Sequence, residues 1–174
     1  MTSLLTKLIG WLLGPPPRLR CRRRLWRDGV AELARRTLGG RRESGAYLLG
    51  RELPGGGCQI LEFVFYDDID PRALETGIVT IRRTALPRLW AHCRKRGYGV
   101  VADVHVHPGS CRQSRSDMDN PVMPRSGHIA MILPDYAQGR PNPGAIGIYE
   151  FLGAGRWADH SARGPRFLKL EGAA

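Results

Sequence analysis

Cysteine is scarce in this chain, and nothing pairs what there is. Cys21, Cys58, Cys93 and Cys111 stand far apart with no Cys-x-x-Cys step, which excludes a zinc ribbon and offers no disulfide framework. They read as reduced, mostly buried small hydrophobes. Long apolar runs are missing as well. The longest, Leu8 to Leu13 with Leu4 and Leu5 ahead of it, falls well short of the ~20 residues a membrane span needs. That run also fits a secretory signal poorly. Gly14-Pro15-Pro16-Pro17 and an arginine cluster follow where a small-residue cleavage site belongs. The expected location is cytoplasmic. Glycine (22) and proline (13) are plentiful but follow no collagen-like period, so a fibrous protein is excluded.

What is present is one domain's worth of core: 174 residues, 42% of them hydrophobic and 25% charged. The formal charge of +11 suggests nucleic acid until it is divided along the chain. Residues 1–42 hold eleven Lys or Arg against Asp28 and Glu32 alone, whereas residues 43–174 hold sixteen against fourteen acids. The basicity is N-terminal. A basic face steers an acidic partner or touches a phosphate backbone, or is simply a solvated surface. Within Arg18–Arg27 the one aromatic is Trp26, thin support for a nucleic-acid binder. Nucleic acid is therefore not the expected partner.

The chain divides into residues 1–17 and a domain over residues 18–174. In the first part Leu4, Leu5, Leu8, Trp11 and Leu12 have helical spacing, and the prolines end that helix as a stiff spacer. It either packs on the domain or docks on a partner or membrane surface. Alternation over residues 18–24 predicts a strand with an arginine-rich outer face. Asp28 is the expected N-cap of a helix over residues 29–38, ended by Gly39-Gly40. Strands are expected at 45–51 and 59–66, joined as a hairpin, and at 77–82. Residues 84–96 read as a helix with Leu86, Leu89, Trp90 and Cys93 on one face. Further strands are expected at 98–106, 128–133, 145–151, 156–159 and 166–170, with a loop at 134–144. The order gives an α+β, sandwich-like arrangement without internal repeats.

Chemistry concentrates in Asp103-Val104-His105-Val106-His107-Pro108. On a strand, residues i and i+2 share a face, so His105 and His107 present two imidazoles side by side. Such a pair is either a satisfied structural feature or two of the three protein ligands of a catalytic zinc. The following loop offers Ser114-x-x-Asp117, whose aspartate would complete a two-nitrogen, one-oxygen set. Upstream, Glu43 precedes the apolar strand Gly45-Ala46-Tyr47-Leu48-Leu49-Gly50. Alone it is an ordinary exposed acid; beside an activated water it could accept a proton.

This combination resembles the JAMM (MPN+) metalloprotease family. The residues that carry the likeness are Glu43 with Gly45, Leu48, Leu49 and Gly50, then His105-x-His107-Pro108, then Ser114-x-x-Asp117. It spans roughly residues 18–170. Within the family the chain is most similar to small bacterial members found with ubiquitin-like conjugation machinery in antiphage operons. The likeness implies an MPN/JAMM (cytidine-deaminase-like) fold, a central mixed β-sheet flanked by helices. It implies one Zn²⁺ held by His105, His107 and Asp117, Glu43 as general base and Ser114 as oxyanion donor. The implied activity is isopeptide cleavage after the C-terminal glycine of a ubiquitin-like modifier. Ubiquitin-activating-like and ubiquitin-conjugating-like proteins would be operon partners. Trimming of a ubiquitin-like or sulfur-carrier precursor is the nearest alternative, a non-catalytic MPN scaffold a further one. The spacing departs by one residue from the eukaryotic pattern, and Ser116-x-x-Asp119 is a second register. Ser114 and Asp117 are preferred.

Overall fold

The computed structural model describes residues 15–77 and 79–172, so the apolar helix expected over residues 2–13 lies outside them. The described chain opens with strand β1 (Leu19–Arg22) and runs directly into helix α1 (Arg23–Arg36). Strands β2 (Gly45–Glu52) and β3 (Cys58–Phe65) form a hairpin, followed by a single helical turn α2 (Tyr66–Ile69). Helix α3 (Leu86–Arg96) leads to β4 (Gly99–Val106), and the short α4 (Arg115–Asp119) precedes β5 (Ile129–Leu133). Strands β6 (Gly147–Gly153), β7 (Arg156–Asp159) and β8 (Leu168–Glu171) complete it.

All eight strands join one curled, mixed sheet in the order β7-β6-β5-β4-β2-β3-β1-β8. It is a single sheet with helices on both faces, and the sandwich expectation is corrected accordingly. Alternation along β2 shows why. Ala46 and Leu48 pack with Trp26, Val30 and Leu33 of α1, whereas Tyr47 and Leu49 pack with Leu89 and Cys93 of α3. Six consecutive residues of β2, Gly45 to Gly50, are buried, as a strand covered on both faces must be.

Four further expectations change. Asp28 does not cap α1, which begins five residues earlier. The arginines after β1 are good helix formers, and Trp26, Val30 and Leu33 give the stripe that seats the helix on the sheet. The helix also stops before Gly39-Gly40, where Thr37 donates its hydroxyl to Ala34 O at 2.7 Å. Residues 79–82 form no strand. Asp70 Oδ2 accepts the Arg82 backbone N–H at 3.1 Å, and Thr80 N–H bonds Ala73 O, so these groups are spent outside any ladder. Trp90, expected on the apolar face of α3, is 36% exposed. Among the described residues no helix is long and apolar enough to cross a membrane.

Candidate metal centre

The site lies at the end of β4. Ala102, Val104 and Val106 point to the α1 face, which sends Asp103, His105 and His107 to the other one. Antiparallel pairing sets Gly45 of β2 opposite His105, and Val106 N–H bonds Ser44 O at 3.0 Å. Glu43 therefore enters at the same end of the sheet as the two histidines. Gly45 has to be glycine: a Cβ there would lie 2.2 Å from the Tyr66 ring and 2.9 Å from Val104 O.

The loop after His107-Pro108 is pinned before it reaches Ser114. Tyr149 donates its hydroxyl to Cys111 O at 3.0 Å. Gly147 leaves room for that carbonyl, since a Cβ would meet it at 2.1 Å. Ser114 then caps α4 in a reciprocal box. Asp117 N–H donates to Ser114 Oγ at 3.1 Å, and Ser114 N–H donates to Asp117 Oδ2 at 2.6 Å. The Ser-x-x-Asp spacing is thus a helix-start device that aims the Asp117 carboxylate back at β4.

Three side chains converge there. His105 Nε2 and His107 Nε2 are 3.0 Å apart, His105 Nε2 is 3.4 Å from Asp117 Oδ1, and His107 Nε2 is 3.2 Å from Asp117 Oδ2. Bonds of ~2.0–2.1 Å to a tetrahedral zinc give ligand–ligand edges of roughly 3.3 Å, and one ligand atom from each of the three side chains lies within 4.8 Å of the others, near enough for a single ion to bridge. Lone pairs aimed at one point repel unless a proton or cation lies among them, and a two-nitrogen, one-oxygen set suits zinc. Electrostatics agree. Burial opposes the charging of His105, but the Asp117 hydrogen bond and charge, with Asp103 and Glu43 behind, outweigh it and raise its pKa. Burial likewise works against the Asp117 anion, yet hydrogen bonds from His105 and His107 hold its carboxyl far below the usual range. Asp119 stays away from the cluster. Its side chain is 67% exposed and meets Arg115 at 3.8 Å.

Glu43, His105, Ser114 and Asp117 line one small cavity of about 90 Å³, more than a single water needs. Val79, Ser116, Asn120 and Val122 border both this cavity and a larger groove of about 900 Å³. Residues 79–81 form one wall of the groove and residues 119–122 the other. The Glu43 backbone N–H bonds Gly77 O at 2.8 Å, tying the base of that first wall to the site.

A buried network behind the site went unassigned from sequence. Tyr66 donates its hydroxyl to Asp103 Oδ2 at 2.9 Å, and His128 Nε2 lies 2.6 Å from Asp103 Oδ1. Asp103 and His128 are 1% and 2% exposed. The one sequence signal was Asp103's position two residues before His105, which places it on the same face.

No family model matches the sequence. The fold is similar to solution structures of two bacterial proteins. One, from Desulfitobacterium hafniense, is 15% identical with a TM-score of 0.59, over 88% of this chain and 92% of that one. The other, from Salinibacter ruber, is 16% identical with a TM-score of 0.52, over 81% of this chain and 88% of that one. At these identities the likeness defines the fold, a curled mixed sheet flanked by helices, and no more.

Proposed function

We propose that this chain is a zinc-dependent isopeptidase of the JAMM type, removing a ubiquitin-like modifier from target proteins after its C-terminal glycine. The setting proposed is a bacterial antiphage conjugation system. The observation that carries the reading is the convergence of His105, His107 and Asp117 beside a cavity that His105 and Asp117 line together with Glu43 and Ser114. A sheet curled between helices is also what the MPN resemblance leads one to expect.

A zinc ion held by His105, His107 and Asp117 would supply a Lewis acid able to bring the pKa of a water towards ~7. The residues do the rest. Glu43 accepts the proton of the attacking water and returns it to the departing amine, the lysine ε-amine of an isopeptide. The Ser114 hydroxyl oxygen already accepts from Asp117 N–H, leaving its proton free to donate to the carbonyl oxygen as negative charge develops. The groove beyond Val79 and Val122 accommodates an extended modifier tail.

The test is Glu43→Gln. Cleavage of a modifier–lysine conjugate should fall about 10²–10⁴-fold, while zinc content and binding of the same conjugate stay unchanged. Cleavage within about threefold of wild type removes Glu43 from the mechanism.

A further inference from the structure

On the face away from the metal centre, α1 and the loop before β6 enclose a second cavity. Its floor is apolar: Trp26 and Val30 of α1, Pro141 from the loop and Leu170 of β8. Its rim is Arg23, Arg24, Arg27 and Arg140, and its volume is about 260 Å³. We propose that this cavity docks an acidic segment of a partner protein through one apolar side chain, with the arginines holding the carboxylates around it.

Size, charge and the state of Trp26 select that occupant. The volume falls below the ~300 Å³ at which small-molecule sites begin, and suits one side chain better than a cofactor. The charge is poorly neutralised. Arg24 and Arg27 share one carboxylate, Asp28, at 3.6 and 3.1 Å, and Arg23 and Arg140 form no ion pair among the described residues. Four cations against one shared anion call for anionic partner groups. The apolar floor calls for a hydrocarbon between them, because a phosphate or carboxylate placed there would lose its hydration unpaired. Nucleic acid is disfavoured at the same point. Trp26 is 3% exposed and its indole N–H donates to Pro141 O at 3.4 Å, so its ring is set into the cavity floor and does not stand out for a base to stack on. A leucine or phenylalanine flanked by aspartates and glutamates meets all three conditions.

The experiment uses the full chain and a fluorescein-labelled peptide with one leucine among aspartates and glutamates. Binding should weaken about tenfold when the leucine becomes serine, and again when Arg27→Glu and Arg140→Glu are combined; a tenfold step is 1.4 kcal/mol. Raising salt from about 0.1 M to about 1 M, which shortens the Debye length from ~10 to ~3 Å, should weaken it further. The Trp26 indole resonance should shift on titration, whereas a zinc-site variant such as Asp117→Asn should bind the peptide as wild type does. That last arm separates this proposal from the enzymatic one. No binding overturns the proposal, and so does equal affinity for the serine peptide. Tighter arginine-dependent binding to duplex DNA or to anionic vesicles than to the peptide also overturns it.

Discussion

Asp117 and Asp119 sit two residues apart on α4 in opposite surroundings. One faces two imidazoles and the Ser114 amide; the other is 67% exposed beside Arg115. Asp117→Asn keeps the capping acceptor but loses the charge, so zinc affinity should fall by tenfold or more. Asp119→Asn should leave it unchanged, as competition with a chromophoric chelator would measure; a loss with Asp119 instead would move the ligand set to the second register. Asp70, fully buried, accepts the Arg82 guanidinium and backbone N–H and the Arg72 N–H. The Arg82 hydrogen bond in particular lowers its pKa despite burial. A carboxylate whose folded pKa is depressed contributes stability above its unfolded value of ~3.9 and loses it as pH falls towards the folded one. Asp70→Asn should therefore cost ~1–2 kcal/mol at pH ~7, discounted because Arg82 is half-exposed, with the melting gap closing below pH ~4. A constant gap across pH would sink this. At this scale the His105–His107–Asp117 cluster was legible in the sequence because i, i+2 on a strand and i, i+3 at a helix start are local geometry. The Asp103–Tyr66–His128 network was not, since its members lie 37 and 25 residues from Asp103 and meet only through the fold.

Elements were legible where one periodicity ruled, as in the hairpin of β2 and β3. They were misread where it changed without punctuation: no turn residue separates β1 from α1. The 79–82 segment misled for another reason. Arg82 itself is extended, with φ −75° and ψ 134°, but a distant side chain, Asp70, takes its amide. The β6–β7 connection offers a test. Ala154 and Gly155 adopt φ of 51° and 69°, the two left-handed positions of a type I′ turn. Alanine pays roughly 1–2 kcal/mol there. Ala154→Asn, creating the favoured Asn-Gly pair, should add about 1 kcal/mol and raise Tm by ~2–4 °C in scanning calorimetry. A lowered Tm would refute the assigned turn.

At the scale of the whole sheet, strands from the two ends of the described residues meet side by side. Strand β1 lies parallel to both β3 and β8, with Leu19 opposite Leu168, and Arg20 meets Glu171 at 2.8 Å across 151 residues of sequence. Phe167 and Leu168, 1% and 0% exposed, belong to the core on the α1 face. A chain ending at Asp159 should leave the β1 amides exchanging with solvent as fast as an unfolded chain's; retained protection would show that β3 alone holds the strand. During synthesis at ~5–20 residues per second, the roughly 150 residues between Leu19 and Leu168 take about seven to thirty seconds to emerge. For that interval the partner for β1's outer edge does not yet exist, and an open edge invites pairing with another nascent chain. Arg20 and Arg22 stand on that edge, and their charge keeps it from being joined by the wrong strand until its own arrives.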